Sequence, residues 1–130
     1  MEKLNQKEYS DFILKKLTKF FPKFKEHYRF EQNTLIIEYP SPSGNIEFWI
    51  STQDLELTVG FDQDNQCIWH THASQFGAFD PDNELAEVVK LTNRIFDGKE
   101  KIIFDLKNGA YLTDSPEKSN ETEIKTWKEL

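Results

Sequence analysis

Between Tyr28 and His72 the apolar residues return at every second position in short runs, and a cluster of turn-forming residues cuts each run. A helix repeats every 3.6 residues and would scatter such a pattern around its circumference, so this segment is directed into short strands with one apolar face. Leu35, Ile37 and Tyr39 alternate with Ile36 and Glu38, and Pro40-Ser41-Pro42-Ser43-Gly44-Asn45 is a turn. Ile46, Phe48 and Ile50 then share one face, with Glu47 and Trp49 on the other. Leu55, Leu57, Val59 and Phe61 give the most regular alternation, opposite Glu56, Thr58 and Gly60. Asp62-Gln63-Asp64-Asn65 reads as a hairpin turn into a strand over residues 67–71. The expected product is a meander of antiparallel strands, a kind of sheet that normally keeps one face wet.

Two helices flank this meander. Asn5 and Glu8 have the spacing of a capping box, with Leu4 and Tyr9 placed as a hydrophobic staple. Tyr9, Ile13, Leu17, Phe20 and Phe24 follow at helical spacing, and Pro22 should stop or distort the helix near Phe21. The second helix has Asp80 as N-cap, Pro81 at its first position, Asp82 and Glu84 in its first turn and Gly98 just past its end. Its apolar stripe is Leu85, Val88, Leu91, Thr92, Ile95 and Phe96. Ile102, Phe104 and Leu106 make a further strand, Lys107-Asn108-Gly109 a hairpin turn, and Ser115 to Asn120 a polar link. Ile124 and Trp127 fit either a last strand or a short helix. The expectation is one α+β domain over 1–130, an antiparallel meander with two helices on one face. Its parts are an N-terminal helix over 1–25, strands over 28–72, a second helix over 81–97 and C-terminal strands over 100–130.

At 130 residues one core suffices, and eleven Phe, four Tyr and three Trp give it area despite an apolar fraction of 37%. Charge is unevenly spread. Residues 1–29 hold eight Lys/Arg against four Asp/Glu, while residues 30–130 hold eight against nineteen. Sixty consecutive residues, Phe30 through Val89, contain no Lys or Arg but eleven carboxylates. An anionic body opposes nucleic acid, whose binding needs cations to displace phosphate counterions. Cys67 is the only cysteine, which excludes a secreted scaffold held by internal disulfides. The opening residues lack the apolar run of a signal peptide and no stretch reaches membrane-spanning length, so the expected location is the cytoplasm.

The chemistry-bearing residues sit in the middle of this anionic stretch, at Trp69-His70-Thr71-His72. On a strand His70 and His72 project from one face, about 6 to 7 Å apart along the backbone. Zinc needs at least a third ligand. Asp62, Asp64, Asp80, Glu56 and His27 are candidates, while Cys67 alternates onto the other face. No metal site is therefore expected; if a metal binds, His70 and His72 hold it. Asp62-Gln63-Asp64-Asn65-Gln66 starts like a calcium loop, but Cys67 stands where glycine belongs and Ala73 where the bidentate Glu belongs. No phosphate loop, zinc-protease helix or nucleophile elbow is present, so no catalytic residue is assigned. Trp49 and Trp69 fall opposite the main aliphatic rows, and an indole among carboxylates has the character of a protein-binding anchor. For Trp69 the alternative is packing beneath the Gln75 to Phe79 loop, itself a contact-making segment.

The helix-plus-meander layout, the acidic balance and the Trp69-His70-Thr71-His72 strand running into an Asp/Pro-started helix resemble the small bacterial immunity proteins of polymorphic toxin systems. The resemblance implies a cytoplasmic, non-enzymatic antidote that occludes a toxin domain. The expected partner is a basic toxin domain, with no nucleic acid, membrane or cofactor involved. Glu47, Trp49, Glu56, Trp69, His70, His72 and Asp80 are the expected contact residues. The alternatives are a metal-dependent hydrolase centred on His70 and His72, and a chaperone or adaptor for a secreted protein. An uncovered edge strand would permit a homodimer.

Overall fold

In the computed structural model residues 4–105, 109–116 and 121–130 are described. The first helix, α1 (Gln6–Phe20), starts where its capping box places it: the Asn5 side chain accepts the Glu8 N–H at 2.8 Å, and Glu8 accepts the Asn5 N–H at 3.1 Å. It buries Tyr9, Ile13 and Leu17, one stripe at helical spacing. Pro22 ends it. The helix expected over 1–25 is therefore two pieces, because Pro22 opens a separate 3-10 turn, Pro22–Glu26, that turns Phe24 into the core.

Five strands follow: β1 (Tyr28–Glu31), β2 (Thr34–Pro40), β3 (Glu47–Ser51), β4 (Thr58–Gln63) and β5 (Gln66–His72). They lie in the sheet in chain order, every neighbour antiparallel. Leu55 departs from the strand pattern, because it falls in a 3-10 turn with φ of 60° and β4 begins only at Thr58. The turn between β4 and β5 has Asp64 at φ 53° and Asn65 at φ 63°, the left-handed pair that suits a tight hairpin. Directly opposed residues share a face, so the register separates the two sides. Ile37 meets Ile50 and Ile50 meets Val59, while Phe48 meets Phe61; all five are buried.

The second helix, α2 (Pro81–Phe96), lies with α1 on this apolar face, its Leu85, Val88, Ile95 and Phe96 in the same core as Tyr9, Ile13 and Leu17. A three-stranded sheet completes the fold, with β6 (Lys101–Asp105) between β7 (Gly109–Thr113) and β8 (Thr122–Lys125). Leu106, the Lys107 and Asn108 of the expected turn, and residues 117–120 of the expected Ser115 to Asn120 link lie outside the described residues, while Gly109 opens β7. Ile124 takes the strand and Trp127 the short helix: Ile124 is on β8, and Trp127 opens a 3-10 turn, Trp127–Glu129. The Trp127 ring closes the aromatic core, with centroids 5.1 Å from Phe96, 6.2 Å from Phe61 and 6.3 Å from Phe48.

One charge is enclosed between the helices and the sheet. Glu84, 5% exposed, accepts the Tyr9 hydroxyl at 3.2 Å and the Leu57 N–H at 3.3 Å. Burial pushes its carboxyl above the ordinary range against the pull of those two hydrogen bonds, and Glu56 and Asp80 add to the upward shift. The Tyr9 phenol is raised as well, by burial first and by Glu84 second. Glu84 thus ties both helices to the segment entering β4.

Candidate binding face

The face of the five-stranded sheet away from the helices is built by register. One row runs Arg29, Ile36, Ser51, Thr58, His72, and the next runs Glu38, Trp49, Gly60, His70. A third row places Glu47 opposite Asp62. Trp49 fits because of its neighbour: Gly60 has no side chain, and the indole lies against it so closely that an added Cβ would stand 2.4 Å from Cζ2. The Trp49 Nε1–H donates to Asp62 Oδ1 at 2.8 Å, which fixes the ring between carboxylates.

Two histidines border this platform. The His70 and His72 rings lie 5.5 Å apart between centroids, edge to face, as their i, i+2 spacing on a strand requires. Thr58 Oγ1 and His72 Nδ1 share a hydrogen bond of 2.8 Å, and Glu56 Oε2 lies 3.7 Å from the same nitrogen. Glu56 is held in turn by the Ser74 hydroxyl at 2.7 Å. Glu47, Trp49, Glu56, His70 and His72 are thereby brought to one side of the sheet.

Two expected contact residues stand elsewhere. Trp69 is opposite Phe61 and on its face, ring centroids 5.3 Å apart, so it packs half-buried on the core side. Cys67 moves the opposite way. The β4–β5 register shifts between Phe61 and Asp62, so that Phe61 meets Trp69 while Asp62 meets Cys67, leaving Ile68 as the extra residue. Strict alternation from His70 puts Cys67 on the core face; the bulge returns it to the open face, with Sγ 3.8 Å from His70 Nδ1. Asp80 serves α2, accepting the Asn83 N–H at 3.0 Å, and that helix packs on the sheet's other side.

The open face is strongly anionic. Arg29 pairs with Glu31 at 3.1 Å and with Glu38. Among the described residues no Lys or Arg lies within ion-pair distance of Glu47 or Asp62. Two like charges directly opposed across a ladder repel, so this pair is a local cost that a cation would remove. Sequence reasoning did not bring Glu38, Thr58 or Gly60 to this face and weighed Asp62 only as a metal ligand; for Gly60 the signal was a glycine set between Val59 and Phe61 in a strand, where a close approach is expected.

Burial, and to a smaller extent the Asp62 carboxylate, hold the Cys67 thiol above its ordinary value, and the nucleophilic form of cysteine is the thiolate. Among the described residues, no three His, Cys, Asp or Glu side chains converge to hold a metal ion. No helix among them is long and apolar enough to cross a membrane. No known protein family matches this chain, and neither comparison with curated proteins nor comparison with solved structures finds a match.

Proposed function

We propose that this chain is a non-enzymatic binding protein of the immunity type, a cytoplasmic antidote that covers a basic toxin domain with its open sheet face. The observation that carries this reading is the Trp49 platform: an indole laid over Gly60, anchored to Asp62 and flanked by Glu38 and Glu47. A partner's Lys or Arg set there meets an aromatic face and carboxylates together, so recognition gains from cation–π attraction as well as charge. Glu56, His70 and His72 extend the surface along β5, and Cys67 and Asp62 border it at the hairpin end. Trp69 and Asp80 serve the fold on this reading, as core packing and helix cap.

The test is capture from the source cell on immobilised protein, beside a Glu47→Lys/Trp49→Ala/Asp62→Lys variant. A basic domain retained by the native chain and lost by the variant supports the reading, and co-expression should relieve that domain's toxicity. Association should slow by roughly tenfold or more between low and high salt. Capture of an acidic partner, or equal capture by the variant, removes the proposal.

A further inference from the structure

β1 is an edge of the five-stranded sheet and, among the described residues, pairs with β2 alone. The direction of its backbone groups follows from two hydrogen bonds. The His27 carbonyl accepts the Glu38 N–H at 2.9 Å, which makes this a hydrogen-bonded pair, and Arg29 and Glu31 keep the same parity toward β2. On the far side of β2 the Thr52 N–H donates to the Leu35 carbonyl at 3.1 Å, so odd-numbered β2 residues bond to β3 and even-numbered ones to β1, in agreement. Tyr28 and Phe30 therefore point their N–H and C=O groups outward, away from β2.

Edges left open in this way are normally guarded by lysine, proline or a bulge. β1 has no lysine, proline or bulge; its guards are its four-residue length and the charges of Arg29 and Glu31. It also carries two aromatic side chains, Tyr28 at 43% and Phe30 at 41% exposure, in an edge-to-face pair with centroids 6.0 Å apart. Between and beside them stand one cation and one anion, Arg29 and Glu31, which pair with each other within the chain at 3.1 Å and exchange partners when a second copy meets this edge.

We infer that two copies of this chain associate through β1, antiparallel about a two-fold axis at Phe30, joining two five-stranded sheets into one. Charge selects the register. With Phe30 opposite Phe30 of the second copy, Arg29 of each copy faces Glu31 of the other, and the outward backbone groups of Phe30 pair across the axis. Shifting so that Tyr28 meets Phe30 would set Arg29 against Arg29, a like-charge pair, at the centre. The strand is short and the contact small, so the dimer is reversible and depends on concentration. This inference does not rest on the proposed toxin binding, and the dimer carries the open acidic face across its axis.

Sedimentation equilibrium of the whole chain, read from micromolar upward, tests it. The mass should climb from 15.4 kDa toward twice that value. Arg29→Glu puts carboxylates opposite Glu31 in both ion pairs, and Glu31→Arg puts guanidinium groups opposite Arg29, so each variant alone should be monomeric. Mixed in equal amounts they should form a heterodimer, because every pair across the axis is again of opposite sign. Phe30→Lys, which sets two ammonium groups together at the axis, should give a monomer with both ion-pair residues intact. Circular dichroism matching the native chain confirms that each variant folds. A native mass fixed at the monomer up to about millimolar concentration overturns the inference. So does a dimer that survives both charge reversals, or a mixture that stays monomeric.

Discussion

Trp49 rests on Gly60, the residue directly opposite it on β4, so closely that a methyl group there would overlap the indole and also stand 2.6 Å from the Trp69 carbonyl. Neither obstacle is a flexible chain end, so Gly60→Ala must tilt the indole and strain the strand. The expected cost is about 1 to 3 kcal/mol, with a change in tryptophan emission as the Asp62 hydrogen bond is lost. Urea denaturation followed by fluorescence measures both, and an unchanged midpoint and spectrum would contradict the contact.

The two strand tryptophans should behave oppositely. Trp69→Ala removes a ring packed on Phe61 and is expected to cost roughly 2 to 4 kcal/mol in unfolding free energy. Trp49→Ala should cost less, because its ring lies on the open face, yet abolish capture of the basic partner. A Trp69 variant as stable as the native chain would return that ring to the surface.

Glu84 gives the pH dependence of stability a defined sign. Its folded-state pKa is raised above the ordinary 4.5, so between that value and the folded value the native state holds more protons than the unfolded chain. Its contribution is therefore full below about pH 4.5 and declines as pH rises through the folded value. Glu84→Gln keeps an acceptor for the Leu57 N–H and a donor for the Tyr9 oxygen but carries no charge. The stability of this variant relative to native should rise from pH 5 to pH 8. Glu84→Leu, which strands the Tyr9 hydroxyl and the Leu57 N–H, should lose about 1 to 3 kcal/mol. Denaturation midpoints across that range decide it, and a relative stability that falls with pH reverses the assignment.

Thr52 fastens α1 to the sheet. Its hydroxyl accepts the Leu35 N–H at 2.8 Å and lies 2.7 Å from the Ser10 hydroxyl, and its carbonyl accepts the Gln6 side chain at 2.6 Å. Thr52→Val keeps the shape and leaves buried partners unpaired, at an expected cost of about 1 to 3 kcal/mol. Faster hydrogen exchange at the Leu35 amide should accompany it, and protection equal to native would show that the hydroxyl is dispensable.

The sequence made some of this legible because the governing signals are local. The Asn5 and Asp80 caps, the Pro22 stop, the Asp64-Asn65 turn and the alternation of β2 and β3 each depend on residues within a few positions of one another. The helices' shared face followed from the meander. What failed was parity carried past a bulge. A single extra residue, Ile68, breaks the alternation between His70 and Cys67 and brings Cys67 round to the side of the histidines. Trp69 follows plain alternation from His70 onto the core face, so an expectation that set Trp69 beside both histidines on one face could not hold. Glu84 was read as a favourable charge at a helix start, since nothing local shows that Tyr9, some 75 positions away, comes to meet it. The carboxylates around Trp49 were equally hidden, because Glu38 and Asp62 join it only through cross-strand register.

The strands from Tyr28 to His72 lie side by side in the order in which they are linked. Each therefore finds its mate across a short loop, and closing short loops costs little chain entropy. The ladder can zip from one hairpin to the next before distant partners such as Trp127 arrive. The acidic platform would then exist in outline early in folding, with the sealing of the interior as the slower event.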